Sequence, residues 1–394
     1  MKPRRSPSGA GRWARVIAAM TVTTVLAAWG VAPAGAADPS ATGRVDLAKP
    51  RFSHPTRITN PLFPARSLTQ LLQFGAEQGE KSRFETTRLS RTKVIRWNGK
   101  DVRTVVDQFV AYTGGRIAEV AVDYYAQADD GSVWYFGENV DNYANGRIEN
   151  HDGTWLAGRD GPAGMIMPAH PRVGDVFRPE NIPGLVLEIA TVTATNLTVT
   201  GPRGRVTGAV RVRNLEVDGS IEEKIFAPRY GEFQASVAST GEFYQAALAV
   251  PTDSLCRPVP RKLVAITTGA DKVFRVAAHP NWGQLSRLTR DLNKAWSIHK
   301  RQVRVPPRLA GQLADALRAL GGAVAAHRRS AARQAALNVD LASVDLQSQY
   351  RSVKATDEAR ADVWRHQLQL DRQAAKPALV AGDKAVLAAI AARR

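Results

Sequence analysis

Residues 116–138 read RIAEVAVDYYAQADDGSVWYFGE. Two alternating runs rich in β-branched and aromatic residues meet at Asp130-Gly131, a pair suited to the left-handed backbone of a tight hairpin turn. A two-residue turn at that point predicts a register: Asp123 faces Glu138, Tyr125 faces Phe136, and Gln127 faces Trp134. Carboxylates directly opposite one another repel, so this pair demands an arginine, a hard cation such as Ca²⁺, or a shared proton.

The same punctuation continues on both sides. KVIRW, then Asn98-Gly99, then DVRTVVDQFVAY is a strand, a turn and a strand. VLEIATVTATNLTVTG, RVTGAVRVRNLEV and SIEEKIFAPRYGEFQAS follow in the same manner. Glu222, Glu223 and Lys224 alternate across one of these runs and read as sheet architecture. Sequential strands joined by tight turns predict an antiparallel β-sandwich or half-barrel over residues 53–258, preceded by a flexible linker over 37–52. The stretch ENHDGTWLAGRDGPAGMIMPAHPRVGDVF is Gly- and Pro-rich and predicts a long, irregular loop.

After residue 258 the period changes. GQLSRLTRDLNKAWSIHKRQ places Leu285, Leu288, Leu292 and Trp296 at helical spacing. Val305-Pro306-Pro307 stops one helix and starts another, because proline is tolerated in a first turn. Residues 308–350 form one long helix or two in line, interrupted only at Gly321-Gly322. Thr356 or Asp357 caps a further helix that carries Val363, Trp364, Leu368 and Leu370, and 381–392 closes a bundle of four or five. The expected fold class is therefore α+β, with a separate helical bundle over 259–394.

Charge divides the chain at the same boundary. The net +18 splits into +5 over residues 1–36, −1 over 37–258 and +14 over 259–394. A basic bundle of this kind suggests an anionic envelope polymer or lipid surface as partner. Arg328, Arg329 and Arg333 in HRRSAAR are the candidate contacts, although a solvated basic face is the plainer reading. Sequence-specific nucleic-acid recognition has no motif here.

The first residues are basic, then apolar from Val16 to Val31, then Ala34-Gly35-Ala36, an order that predicts a secretion signal cut after Ala36. The apolar run is shorter than the roughly 20 residues that span a bilayer. After cleavage the chain is expected in the bacterial envelope or medium and not as an integral membrane protein. Its single cysteine, Cys256, excludes an intramolecular disulfide.

The chain lacks Gly-x-Ser-x-Gly, His-Glu-x-x-His, a phosphate loop and a haem-attachment motif, so no cofactor is expected and the enzyme reading is weakened. The candidate ligand surface is Asp123, Tyr124, Trp134 and Glu138 on the hairpin with Trp155 and Asp160 on the loop. Non-catalytic binding of a small molecule, glycan or envelope partner is the leading expectation. One alternative is a glycan hydrolase using the carboxylate pair, since retaining enzymes hold two carboxyls about 5 Å apart. The other is an envelope copper protein. Met165, Met167 and His170 offer two thioethers and an imidazole, against the simpler reading of Met165 and Met167 as apolar packing.

ITNPLFP, VDYYAQADDGSVWYFGE, GTWLAGRDGPAGMIMPAHPRVGDVFR and EEKIFAPRYGEF resemble blocks of a family of exported bacterial β-rich proteins of uncharacterised function. The helical region accompanies such domains in some envelope proteins. The resemblance implies export and a two-part layout and brings no reaction with it. It departs at Met165, where the family block carries an aliphatic residue.

Overall fold

Asn98 and Gly99 take φ angles of 49° and 74°, the left-handed backbone that a two-residue hairpin turn requires. They join β2 (Glu80–Trp97) to β3 (Lys100–Thr113), with Trp97 opposite Lys100. The computed structural model describes residues 43–65 and 67–393. The expected secretion signal and the start of the linker lie outside the described residues.

The remaining strands are β1 (Gln70–Glu77), β4 (Arg116–Gln127), β5 (Val133–Ala144), β6 (Arg147–Asn150), β7 (Trp155–Leu156), β8 (Gly164–Met167), β9 (Val176–Phe177) and β10 (Asn181–Ile182). They continue with β11 (Val186–Gly201), β12 (Gly204–Glu216), β13 (Ile221–Ala227), β14 (Gly231–Val237) and β15 (Glu242–Val250). All fifteen join one open antiparallel sheet, ordered β10-β11-β12-β13-β14-β15-β1-β2-β3-β4-β5-β6. The short β7 and β8 pair with β5, and β9 pairs with β11. The expected irregular loop thus contributes short strands, because its backbone finds partners on β5 and β11.

The central hairpin keeps one expected pairing and loses two. Asp123 is opposite Glu138, but Tyr125 is opposite Tyr135, Ala126 is opposite Trp134 and Gln127 is opposite Val133. Two causes combine. The connection is the five-residue segment from Ala128 to Ser132, where Asp130 Oδ1 accepts from the Ser132 amide and hydroxyl. A bulge then lies between the two halves of the ladder, at Gly137, whose φ is 108°. A Cβ on Gly137 would lie 2.2 Å from the Trp155 carbonyl oxygen, so only glycine lets β7 approach this closely.

Six helices follow: α1 (Arg261–Val276), α2 (Trp282–Gln302), α3 (Pro307–Ala325), α4 (Arg329–Gln347), α5 (Val353–Gln373) and α6 (Pro377–Ala391). In α2, Leu285, Leu292 and Trp296 are buried, as their spacing predicts, and Asn281 caps the helix. The long Ala-rich run is two helices, but they are not in line. It breaks at Ala326 to Arg328, where His327 has φ 52°, and Gly321-Gly322 lies inside α3. The α3 and α4 faces pack on each other. Ser352, not Thr356 or Asp357, caps α5, accepting from the Ala355 amide at 3.2 Å.

Period-two alternation gives the central strands two buried faces. One meets the helices: Leu72, Ala247 and Leu248 join Leu263, Ile266 and Leu313 in a common core. Val110 and Tyr112 pack with Trp364 and Val386 in a second cluster. Buried ion pairs cross this interface. Arg83 binds Glu85 at 2.6 Å and Asp345 through both terminal nitrogens. Arg360 reaches Asp345 at 3.0 Å and Asp357 at 3.2 Å, and Arg393 reaches Glu85 at 2.8 Å. No helix among the described residues is long and apolar enough to cross a membrane.

Candidate functional site

The other face of the same strands borders a cavity of about 200 Å³. Asp107 and Phe109 of β3, Glu119, Asp123 and Tyr125 of β4, and Glu188 of β11 reach it by strand alternation. Tyr135 and Glu138 of β5 are three residues apart and would normally point to opposite faces. The bulge at Gly137 corrects the parity, and both line the cavity.

Its aromatic wall is continuous. Phe63 lies 4.7 Å from Tyr125, and Tyr125 stacks on Tyr135 at 4.8 Å and 18°. Trp155 meets the Tyr135 edge at 5.2 Å from behind. Such contacts favour a single ring arrangement over a fluid wall.

Its polar groups are strongly one-sided. Among the described residues, eight carboxyl side chains line the cavity and two basic ones, Arg88 and Lys224, accompany them. Arg88 serves Asp107 at 2.7 Å. Lys224 lies 3.2 Å from Glu188 and 3.1 Å from Glu222. Near Asp123 and Glu138 the surroundings are apolar or acidic, so burial pushes Asp123 up to about 8, with the Asp107 charge adding to it. The Tyr135 hydroxyl, 3.3 Å from Asp123 Oδ1, opposes that rise. Burial also raises Glu138 well above the carboxylate range, helped by Glu180 and Asp123. Glu180 is pushed up to about 7 by burial and Glu188, although it accepts from Trp155 Nε1 at 3.0 Å. Burial and neighbouring acids thus favour the protonated forms of Asp123 and Glu138, while Arg88 pairs with Asp107.

Of the candidate ligand residues, only Asp123 and Glu138 line the cavity. Tyr124 points to the opposite face, where it accepts from Asn139 Nδ2 at 2.7 Å and lies beneath Lys93. Trp134 is buried and donates to Ser132 Oγ. Trp155 is fully buried, with no ring face for a sugar, and acts through Glu180. Asp160 is exposed, held by the Leu156 amide and Arg159. Met165 and Met167 are buried in an apolar cluster with Trp134 and Val133, while His170 is exposed. Cys256 is exposed. On the helices, Arg328 and Arg329 are exposed, but Arg333 is buried, 4.3 Å from the Phe274 ring centre and bonded to Gln373. The three arginines therefore do not form one exposed patch, because Arg333 faces α1.

Sequence reasoning missed Asp107, Glu119, Glu180, Glu188 and Lys224 as members of the site. A signal existed for two of them: Glu119 in IAEVAV and Glu188 in VLEIATV interrupt apolar strands with a charge. Glu180 sits outside any strand and carried none. No family model, no curated protein and no solved structure matches the chain.

Proposed function

We propose that this is an exported, non-catalytic binding protein of the bacterial envelope or medium, whose β-sheet curls as a half-barrel around a small ligand. One observation carries this reading: stacked tyrosines and the protonatable trio Asp123, Glu138 and Glu180 share the wall of one cavity. At about 200 Å³ the cavity is below the range of about 300–1,000 Å³ common for drug-sized ligands. A small amine or a sugar-sized polyol suits it. Neutral carboxyl groups both donate to and accept from hydroxyls, and an amine would take their protons and pair with the ionised form.

The hydrolase alternative is less well supported. A retaining pair needs one ionised nucleophile beside one protonated acid, and burial raises both Asp123 and Glu138. The burial of Met165 and Met167 among apolar side chains favours packing over copper ligation. Membership of the exported β-rich family and contact of the basic helices with anionic envelope material belong to the same proposal. Exposed Arg328 and Arg329 and the +14 of residues 259–394 support that contact.

Native mass spectrometry of the protein recovered from its own host, beside the same sample denatured, tests the ligand reading. The expected result is an added non-covalent mass that is lost from the Asp123→Asn, Glu138→Gln double variant. A bare chain, or a mass retained by the folded double variant, would overturn this cavity as the binding site.

A further inference from the structure

Helix α2 packs chiefly on α1 and α3. Leu285, Leu292 and Trp296 form its buried side. At 3.6 residues per turn, Arg287, Arg290, Lys294 and Arg301 fall within about 60° of one another on the opposite side. All four are exposed. At 1.5 Å per residue they make a basic ridge about 21 Å long.

Other helices treat their exposed arginines differently. Arg275 pairs with Asp271 on α1, Arg318 with Asp315 on α3 and Arg365 with Asp362 on α5, each within about one turn. On the α2 ridge none of the four basic side chains forms an ion pair with a described residue, and Asp291 is the one acid in the helix. Arg287 and Arg290 are three residues apart, and Arg290 and Lys294 four. Like charges at these spacings repel and weaken a helix. A bound polyanion removes that repulsion.

The kind of partner follows from what the ridge carries and what it lacks. Among the described residues, no large apolar side chain of α2 is exposed, whereas helices that lie in a membrane surface bury an apolar face in it. Both tryptophans lie off the ridge, Trp296 buried and Trp282 stacked on His327, so no ring there offers a nucleic-acid base a stacking surface. A row of charges along one line instead matches an extended chain of negative groups. Guanidinium and ammonium groups both bind phosphate oxygens well.

We propose that Arg287, Arg290, Lys294 and Arg301 of α2 form the docking surface for a linear, phosphate-bearing polymer of the envelope. This rests on the reading that the basic helices contact anionic envelope material, and it makes α2, rather than Arg328 and Arg329, the principal contact.

Calorimetric titration of the full chain with linear polyphosphate, over a series of salt concentrations, tests it. The expected result is saturable binding that weakens steeply with salt as counterions are released. The double variant Arg290→Gln, Lys294→Gln should bind about tenfold more weakly or worse, with the slope of log affinity against log salt reduced by about 2. The double variant Arg275→Gln, Arg318→Gln removes the same charge from paired positions and should bind like the parent. All four altered side chains are exposed, so both variants should fold, which circular dichroism checks. Equal weakening in the two variants, or parental affinity in the ridge variant, would overturn α2 as the surface and leave the broader envelope contact standing. Sedimentation with phosphatidylglycerol–phosphatidylcholine vesicles completes the test. Binding to vesicles without binding to polyphosphate would overturn the polymer as partner, and binding to neither at low salt would overturn the broader reading as well.

Discussion

The two faces of β2 to β4 both bury carboxyl groups, and they neutralise them by different means. Toward the helices, burial alone would raise Glu85, but Arg83, Arg360 and Arg393 override it and hold the group well below the carboxylate range. Asp345 is treated alike: burial opposes, and Arg83 and Arg360 prevail. Toward the cavity, Asp123 and Glu138 meet burial and other acids, and their affinity for protons rises instead. The first arrangement glues helix to sheet. The second raises the proton affinity of groups in a cavity wall, which costs stability as pH rises.

This contrast is broken most directly at Arg360. Arg360→Met leaves Asp345 and Asp357 short of a buried cation, and a loss of about 3–5 kcal/mol in urea unfolding is expected. A near-neutral result would mean that these ions are not mutually dependent.

The cavity face predicts the opposite sign. A carboxyl raised in the folded state contributes full stability below its unfolded value near 3.9 and loses it as pH rises toward the folded value, about 8 for Asp123. Asp123→Asn should therefore stabilise clearly at pH 8, by at most about 5 kcal/mol from the full shift, and by little at pH 4. Glu85 and Asp345 act in reverse, since their folded-state values are depressed. Their contribution is present above the unfolded carboxylate range and is lost as pH falls through the depressed values. Melting temperatures across pH 2–9 should thus show an acid limb from the helix face and an alkaline limb from the cavity face. An Asp123→Asn profile parallel to that of the parent would remove the alkaline assignment.

Smaller effects sharpen the same comparison. Met167→Leu conserves volume in an apolar cluster, so less than about 1.5 kcal/mol is expected in thermal unfolding. A larger loss would show that the thioether does more than pack. Arg329→Ala removes an exposed charge and should stay within about 0.5 kcal/mol. Binding of the variant to anionic vesicles, measured by sedimentation, tells whether that exposed charge serves a partner.

Much of the scaffold was readable before folding. Asn98-Gly99 announced its hairpin, and the spacing of Leu285, Leu292 and Trp296 announced α2. The Asp123–Glu138 pairing was readable too, although the turn on which it was based has five residues, not two. The longer turn and the bulge at Gly137 shift the register in compensating ways. The break at His327 was not readable, because two glycines nearby carried the stronger breaker signal and a positive φ at histidine has no local mark. Nor was the inward turn of Arg333, since i, i+4 spacing places two residues on one side without saying whether that side meets solvent or Phe274.

Sequence by itself determined the local events: which segments alternate with period two or recur with helical period, where tight turns fall, and how charge divides near residue 258. Those depend on neighbours a few positions away. Tertiary structure decided which acids meet arginine and which meet one another, bringing Glu180 and Glu188 to a cavity with Asp123 and Arg393 to Glu85. The protonation state of a buried carboxyl follows from desolvation and from charges far along the chain, so it exists only once the sheet and helices have closed around it.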